Sequence, residues 1–554
     1  MLKKLITATA VLNTVVVNAN EVDLKNTTLY NQTPYITSQC YTKTVGIDNK
    51  KHNPCYSCHT KNIEPNFTLQ DDDLQESYDF PASALSNPWT NLFKDRTKQV
   101  EAISDKEILK YVKKDNYKKL SSKLNNIPKN WDYNNNGKWD GYIPDCQYNF
   151  DNEGFDKTPN DKYTGWRAFG YYPFLGTFWP TNGSTDDVLI RLSKDFQQNI
   201  KGEFDIEIYK LNLSIIESLI KQKSIDINPI DEVKYGVDLN QNGKLDIANK
   251  IVFNWKTPSY DIKNSRLFNF SMSYVGLAKK RLNSGKLHIA PGLYPINTEF
   301  LHSVRYIDVD KTNNIKMAKR MKELRYGIKT SWLSYSDLEA MGISTLKEKN
   351  DFPDRTEQYI GDIEIGINNK KGWYYQGFIE DKYGELRPQS YEETLYCIGC
   401  HSNIGAIVDS TFVFSRKFEK DTDQNGWYHW TQKGLKGIKD KKLSSGKTEY
   451  INYLKVNNSG DEFRENKEIL EKFFDKDLNL KQNEISKIKD DISHLLLPST
   501  KRAIKLNKAY KVIVDEQSFI YGRDATIKPA VNVYEKIDDG QSTDLNKINV
   551  TKPK

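Results

Sequence analysis

The chain has 554 residues, of which 37% are hydrophobic, 28% charged and 12% aromatic. This composition is polar but suits a folded protein, because aromatic side chains bury large apolar areas. The length allows roughly three to four domains. The formal charge of +7 is spread among interspersed acidic residues, so nucleic-acid binding has little electrostatic support.

The first nineteen residues have the pattern of a secretory signal peptide. Lys3 and Lys4 supply the basic start, residues 5–17 are apolar, and Val17-Asn18-Ala19 is a small-residue cleavage site. The alternative is a membrane anchor, but about 20 apolar residues are needed to span a bilayer. No cysteine follows the cleavage site directly, so we do not expect a lipid anchor. We expect an exported protein in the periplasm, or outside the cell, with no membrane span after the signal is removed.

Two C-x-x-C-H motifs lie far apart in the chain, at residues 55–59 and 397–401. Two thiols at this spacing lie on one side of a helical turn and reach the two vinyl groups of one haem, and the following histidine ligates the iron. The motifs therefore predict two covalent haem c groups. The predicted cofactor-binding residues are Cys55, Cys58, His59, Cys397, Cys400 and His401, with His59 and His401 as axial iron ligands.

These ten motif residues, together with the signal peptide, resemble the multihaem c-type cytochromes of bacterial periplasms. The resemblance implies haem iron and redox function without naming a subfamily. Two alternatives use the same cysteines. One is a single four-cysteine zinc site, which gives no reason for a histidine after each pair. The other is a thioredoxin-like redox pair, which does not explain a second copy of the motif.

The two remaining cysteines, Cys40 and Cys146, belong to neither motif. Spare cysteines of exported proteins commonly pair, so a disulfide is predicted between them. It would close a loop of about a hundred residues and contribute ~4 kcal/mol in the chain-entropy model. Two free buried thiols are the alternative.

The opposite face of each iron needs a second ligand if the haem serves electron transfer alone. His302 is the first candidate, because strand alternation places it on an apolar face with Phe300, Val304 and Tyr306. A core histidine with a different partner is its alternative. His52 would reach the second haem if the two haems are close. Met272 is the sulfur candidate, although core packing also explains it.

Two Asp/Asn-rich loops follow the first nine positions of an EF-hand calcium loop, with glycine at the sixth position. Both lack the glutamate at position 12, where Ile143 and Asn249 stand. A solvated Asn-Gly turn is the alternative. The candidate calcium ligands are Asp132, Asn134, Asn136 and Asp140 in the first loop, and Asp238, Asn240, Asn242 and Asp246 in the second.

The pattern of predicted elements indicates an α+β fold. A strand-containing central region is flanked by two haem regions rich in loops and helices. Strands are predicted at residues 204–208, 250–255, 268–274, 300–309 and 373–379, and helices near residues 105–113, 391–401, 465–474 and 500–513. The predicted units are the signal peptide (1–19), a first haem region with a calcium-like loop (20–160), a mixed middle region (161–390), and a second haem region with a helical C-terminus (391–554).

The predicted function is a periplasmic di-haem cytochrome that transfers electrons between exported redox proteins, which would be its donor and acceptor. An oxidoreductase with one open haem, acting on peroxide or on a nitrogen or sulfur oxyanion, is the alternative. A zinc-dependent exported binding protein is a third reading. An enzyme is less expected than a carrier, and no catalytic residue is assigned.

Overall fold

A computed structural model describes residues 22–46, 49–67, 75–402, 404–420, 422–457 and 466–545. The predicted signal peptide lies outside these residues. The strands are β1 Phe155–Lys157, β2 Tyr163–Ala168, β3 Thr185–Asp186, β4 Leu189–Arg191, β5 Ile225–Asp231, β6 Ile247–Ile251, β7 Ser259–Asp261, β8 Arg266–Phe268, β9 Glu299–Val309, β10 Ile315–Lys329, β11 Gly361–Asp362, β12 Gly366–Asn368, β13 Trp373–Glu380 and β14 Leu386–Pro388.

The α-helices of the described residues surround these strands. They are α1 Thr97–Ala102, α2 Asp105–Val112, α3 Leu120–Asn125, α4 Ile206–Lys221, α5 Gly276–Asn283, α6 Tyr335–Asp351, α7 Tyr391–Leu395, α8 Ile398–His401, α9 Glu449–Asn457, α10 Lys467–Phe473, α11 Gln482–Asp490, α12 Ser493–Leu496 and α13 Thr500–Glu516. Among the described residues, none of these helices combines the length and the apolar character that crossing a bilayer requires.

An antiparallel sheet forms the centre of the fold. Its strands lie in the order β1, β2, β4, β9, β10, β13, β12, β11, while β3 pairs with β9 and β14 with β13. The long hairpin β9–β10 turns at Asp310, whose side chain accepts hydrogen bonds from the amides of Thr312 and Asn314 at 2.9 and 3.0 Å. Both faces of β9 are largely buried because α2 and α13 pack on this part of the sheet.

The chain between β4 and β9 forms α4 and two small hairpins, β5–β6 and β7–β8, which are not part of the main sheet. The α4 helix begins after Asp205, whose carboxylate accepts hydrogen bonds from the amides of Glu207 and Ile208. This cap explains why the strand predicted at residues 204–208 is wrong. The strand predicted at 250–255 overlaps only the end of β6. Of the strand predicted at 268–274, only Phe268 lies in a strand, as the last residue of β8.

The two ends of the described chain meet. Tyr41 is fully buried, its carbonyl accepts a hydrogen bond from Tyr534 N at 2.9 Å, and its hydroxyl donates to Ala84 O at 2.7 Å. Helix α13 packs on β9 through Asn507, whose amide group both donates to and accepts from the backbone of Ile307. The N-terminal segment is therefore held between the C-terminal segment and the sheet.

The predicted α+β class is confirmed. The strands expected at 300–309 and 373–379 are β9 and β13, and the helices expected near 105–113 and 500–513 are α2 and α13. The unit boundaries at residues 160 and 390 stay a prediction.

Candidate functional site

The first cysteine pair lies on one tight helical turn. The amides of Cys58 and His59 both donate to the carbonyl of Cys55, at 3.2 and 2.9 Å. Asn53 begins this turn, because its side-chain oxygen accepts hydrogen bonds from the amides of Cys55 and Tyr56 at 3.1 Å each. The spacing of the motif thus produces the turn that was expected from it.

The second pair repeats this geometry. The amides of Cys400 and His401 donate to the carbonyl of Cys397 at 3.3 and 3.1 Å. The preceding helix α7 begins with a capping box. The Glu393 amide donates to the Ser390 hydroxyl, and the Ser390 amide donates to the Glu393 carboxylate. Arg387 holds the same Glu393 carboxylate through two hydrogen bonds of 2.8 and 2.9 Å. The start of α7 is therefore fixed at both the backbone and the side chain.

The fold brings the two pairs together around Cys40. The Cys40 thiol lies 3.6 Å from Thr37 Oγ1 and shares a hydrogen bond with the side chain of His59. One cysteine of each pair, Cys55 or Cys400, lies close enough for a negative charge on Cys40 to raise its pKa. We call Cys40, Cys55, Cys58, Cys397 and Cys400 the thiol cluster.

A backbone contact fixes the second pair against the N-terminal segment. A Cβ atom on Gly399 would lie only 2.4 Å from Tyr35 O, so glycine alone permits this approach. The side chain of Asn66 then links the segments that follow the two pairs, donating to Ile404 O at 2.9 Å and Ile407 O at 3.2 Å. Both pairs are therefore tied to one region of the molecule by several independent contacts.

The thiols of the cluster differ in acidity. Burial raises the pKa of Cys40, but the hydrogen bond and charge of His59 outweigh burial, and the pKa lies below its ordinary value. Burial, with a smaller contribution from the charge of Cys40, raises the pKa of the Cys55 and Cys400 thiols to about 12. Cys40 is thus the member of the three that favours the thiolate.

His401 lies in an apolar pocket beside the cluster. Its Nδ1 is 2.9 Å from Ser410 O, and its ring centre is 4.8 Å from that of Tyr375. Burial lowers the pKa of His401 to about 4; the hydrogen bond to Ser410 opposes this shift, while the charges of Arg325 and His302 add to it. The imidazole is neutral at pH 7.

His302 lies near His401 but has a partner of its own. Its Nε2 is 3.0 Å from the Asp186 carboxylate, and its ring packs on Phe178. A second histidine is held in the same way by the next residue, since His429 Nε2 lies 2.9 Å from Asp187. His302 therefore matches the alternative given for it, a core histidine with a partner other than iron.

The other two distal candidates are placed differently. His52 is partly exposed, and its amide donates to Thr44 O at 2.7 Å. Met272 is buried in the hydrophobic core with Val275 and Ala278 rather than on a strand. Their predicted role as iron ligands has no support in this arrangement.

The predicted disulfide is not formed. All six cysteines are free, and Cys146 is buried in a separate core cluster with Trp131 and Trp166. Cys40 instead faces His59, because the turn at residues 38–41 packs on the first pair. Spare cysteines of one chain do not reveal their neighbours until the fold is known.

The two Asp/Asn loops have the same geometry. In the first, Asp132 accepts hydrogen bonds from the amides of Asn136 and Gly137, and in the second Asp238 accepts from those of Asn242 and Gly243. The side chains at the third and fifth positions donate to the aspartate at the ninth, which is Asp140 or Asp246. The sequence similarity of the loops is thus a structural similarity.

A buried glutamate from outside each loop supports it, and sequence reasoning missed both. The Glu364 carboxylate accepts hydrogen bonds from Tyr133 N at 2.5 Å and Asp140 N at 2.9 Å. Glu232 accepts in the same way from Leu239 N at 2.6 Å and Asp246 N at 3.1 Å. Each loop therefore gains a carboxylate in place of one at position 12, from the residues just before the loop for Glu232 and from a distant part of the chain for Glu364.

A cavity of about 70 Å³ lies next to the second pair. Tyr396, which precedes Cys397, lines it together with Trp179, Lys322, Glu323, Arg325, Tyr510 and Arg523. Glu323 joins two of the cations, accepting from Arg325 Nε at 3.0 Å and Arg523 Nη1 at 2.7 Å. None of the charged lining residues was singled out from the sequence, because charged residues at this density normally face solvent.

Comparison with known proteins places the chain. The profile of a family described as "-like lipoprotein" matches residues 24–492. An uncharacterized lipoprotein of Aquifex aeolicus (strain VF5) is 31% identical over 587 aligned residues, which cover 96% of this chain and 93% of that relative. The chain belongs to this lipoprotein family. No solved structure matches it.

Membership of the lipoprotein family corrects the predicted identity. Neither comparison connects the family with cytochromes, haem, iron or electron transport. Within the described residues, no group of three or more His, Cys, Asp or Glu side chains could hold a metal ion. The identification as a c-type cytochrome is therefore wrong, as are the electron-transfer function and the alternative of a di-haem oxidoreductase. Exported redox proteins as partners have no support from the family.

The reason for the error is chemical. The C-x-x-C-H spacing fixes a turn with two thiols on one side, but it does not specify what those thiols bind. The haem c predicted at each pair rests on the spacing alone. What the lipoprotein family does support is an exported protein.

Proposed function

We propose that this exported member of the lipoprotein family carries an organic group bound covalently through its cysteine pairs. The observation that carries the proposal is the thiol cluster, in which two pairs separated by hundreds of residues meet around Cys40. Each pair lies on one helical turn, so both of its thiols reach the same attached group. The protein would bind and shield this group outside the cytoplasm.

The arrangement of the cysteines favours an attached organic group over two other roles, disulfide formation and metal binding. Exported proteins normally pair spare thiols as disulfides, yet no two of the six cysteines form one in this structure. A zinc ion held by the cysteines would need three or more converging Cys, His or carboxylate ligands, and the described residues contain no such group. Carbon–sulfur bonds to an organic group require neither arrangement.

Counting reactive thiols tests the proposal. The mature exported protein would be unfolded and alkylated with iodoacetamide, with and without prior reduction. We expect modification of Cys40 and Cys146 alone in both samples, because the four paired thiols are already bonded. The control is the same chain expressed without residues 1–19, which should remain in the cytoplasm and expose all six thiols. Modification of all six cysteines of the exported protein, in either sample, contradicts the proposal.

We also propose that the two Asp/Asn loops bind calcium as structural ions. Support comes from their shared geometry and from the buried carboxylates of Glu232 and Glu364 that hold them. Calcium prefers oxygen ligands, and loops of this kind in exported proteins bind it with dissociation constants of about 10⁻⁴–10⁻³ M. Calcium would stiffen the loops rather than take part in chemistry.

A thermal unfolding series tests the calcium sites. Calcium added to chelator-treated protein should raise the midpoint by a few degrees, because a ligand that binds only the folded state stabilises it. Asp132→Asn and Asp238→Asn should each reduce this rise. Asp475→Asn is the matched control, since Asp475 forms a similar turn with Asp477 and Asn479 but has no following glycine. The sites are ruled out if calcium does not raise the unfolding midpoint, or raises it equally in the wild type and all three variants.

For the location we propose the periplasm, which narrows the exported location that the family supports. The basic and apolar segments at residues 3–17 favour export across the inner membrane. Osmotic-shock fractionation would test this, with recovery in the soluble shock fluid expected. Recovery only from washed membranes would instead indicate a membrane-attached form.

A further inference from the structure

The cavity beside the second pair is lined by more positive than negative side chains. It lies between β10, the N-terminus of the turn at Pro180–Asn182, and α13. Lys322, Arg325 and Arg523 line it, against the carboxylates of Glu323 and Asp524. The side chains of Lys322 and Glu323 are almost completely buried. A buried excess of one positive charge is costly unless an anion balances it.

Glu323 does not use up the hydrogen-bonding capacity of its two arginines. Arg325 reaches Glu323 through Nε, and the described residues offer no acceptor for its terminal nitrogens. Arg523 reaches Glu323 through Nη1 and Glu393 O through Nη2, while its Nε is buried without a partner. Arginine donors of these two cavity-lining residues are therefore left over.

Two neutral donors are also left without acceptors. The hydroxyl of Tyr510 and the indole Nε1 of Trp179 are buried and have no hydrogen-bond partner. Both residues line the cavity and are at most 2% exposed. Lys322 Nζ, which donates to Gly183 O and Ser184 Oγ, lies 4.1 Å from the centre of the Tyr510 ring. A buried polar group left unsatisfied in this way needs an explanation, and a bound ion or water is one.

We propose that this cavity binds a small oxyanion, of the size of phosphate or acetate, through Arg325, Arg523, Tyr510 and Trp179. An anion supplies what the site lacks, namely oxygen acceptors and negative charge. A cation would meet the three positive side chains, and a neutral hydrocarbon would leave the donors unsatisfied. A volume of about 70 Å³ has room for roughly five waters and hence for an anion of four or five heavy atoms.

Thermal unfolding with added anions tests the proposal. Phosphate and acetate would be titrated separately against chloride at equal ionic strength, so that general salt effects cancel. We expect at least one of the two to raise the midpoint of the exported protein above the chloride curve. A response to phosphate alone would indicate a tetrahedral ligand, and a response to acetate a carboxylate. No response to either overturns the proposal.

Tyr510→Phe gives the sharper test, because it removes the unpartnered hydroxyl and keeps the ring. Without anion its midpoint should equal that of the wild type or exceed it, since no internal hydrogen bond is lost. Its affinity for the anion should fall about tenfold, as expected for a lost hydrogen bond to a charged group.

Tyr274→Phe is the matched control. Tyr274 is equally buried, but its hydroxyl donates to His288 O at 3.0 Å. This variant should lose stability without anion and keep the wild-type anion affinity. If Tyr510→Phe and Tyr274→Phe behave alike in both measurements, the proposal fails. The test uses none of the thiols, so it stands apart from the fate of the proposed covalent group.

Discussion

Asp187 illustrates at the scale of one residue how this fold keeps a buried carboxylate ionised. Its oxygens accept hydrogen bonds from Ser303 N at 2.7 Å, Ser303 Oγ at 2.5 Å and His429 Nε2 at 2.9 Å. Burial raises the pKa of Asp187, but the hydrogen bond and charge of His429, with the charge of Arg305, outweigh burial and lower the pKa to about 2. The carboxylate therefore stabilises the folded state.

The sign of its pH dependence follows from that lowered pKa. The contribution of Asp187 is complete above about pH 4 and is lost as the pH falls through about 2. Asp187→Asn should lower the free energy of unfolding at pH 7 by about 2 kcal/mol, and the loss should shrink toward pH 2. Urea unfolding across this range measures it, with the exposed Asp477→Asn as the control. An equal loss at every pH would show that the charge of Asp187 is not what stabilises the fold.

At the scale of elements, helix α8 packs closely on the N-terminal segment at Gly399, and a substitution there tests this contact. Gly399→Ala would push a methyl group into Tyr35 O and Thr37, at 2.4 and 2.7 Å from their nearest atoms. We expect a loss of about 1–3 kcal/mol of unfolding free energy and a faster reaction of Cys40 with a thiol reagent. Urea unfolding and labelling kinetics measure the two effects.

Gly202→Ala is the control for Gly399→Ala. An added methyl at Gly202 meets nothing within 4 Å, so this variant should leave the labelling of Cys40 unchanged, and any loss of stability comes from the positive φ of Gly202, which Gly399 does not share. A Gly399→Ala protein with wild-type stability and wild-type labelling would mean that the two segments do not pack as described.

The elements also show which local signals could be predicted from the sequence. Strands β9 and β13 were predicted because apolar residues alternate along them, and α13 because its apolar residues recur at helical spacing. Strand β10 was missed, since Lys319, Arg320, Lys322 and Glu323 interrupt the apolar pattern. Of these residues, Arg320, Lys322 and Glu323 are buried because partners from distant segments, such as Glu380 for Arg320 at 2.6 Å, meet them in the fold.

At the scale of the whole molecule, the candidate site depends on contacts that no local pattern contains. The spacing within each cysteine pair predicted its helical turn. It did not predict that Cys40 would lie between the pairs, or that Arg325 and Arg523 would line a cavity beside them. Residues brought together across hundreds of positions are found from one sequence only when the fold is known.

The whole molecule also explains why the chain ends matter to the site. The C-terminal residues near Tyr534 hold the N-terminal segment, and that segment carries Cys40 to the pairs. Arg523, which follows α13, reaches the cavity from the same end of the chain. The site is therefore built from both termini as well as from the sheet.

The most direct test of the central claim is the intact mass of the mature exported protein and of its pair variants. We predict a mass above that of the polypeptide. Replacing Cys55 and Cys58 by serine should remove one part of the excess, and replacing Cys397 and Cys400 should remove another. Cys146→Ser should remove none, and a lipid on the chain would persist in every variant. A mass equal to the polypeptide alone, or an excess that no pair variant reduces, would contradict the claim that the paired thiols carry a bound group.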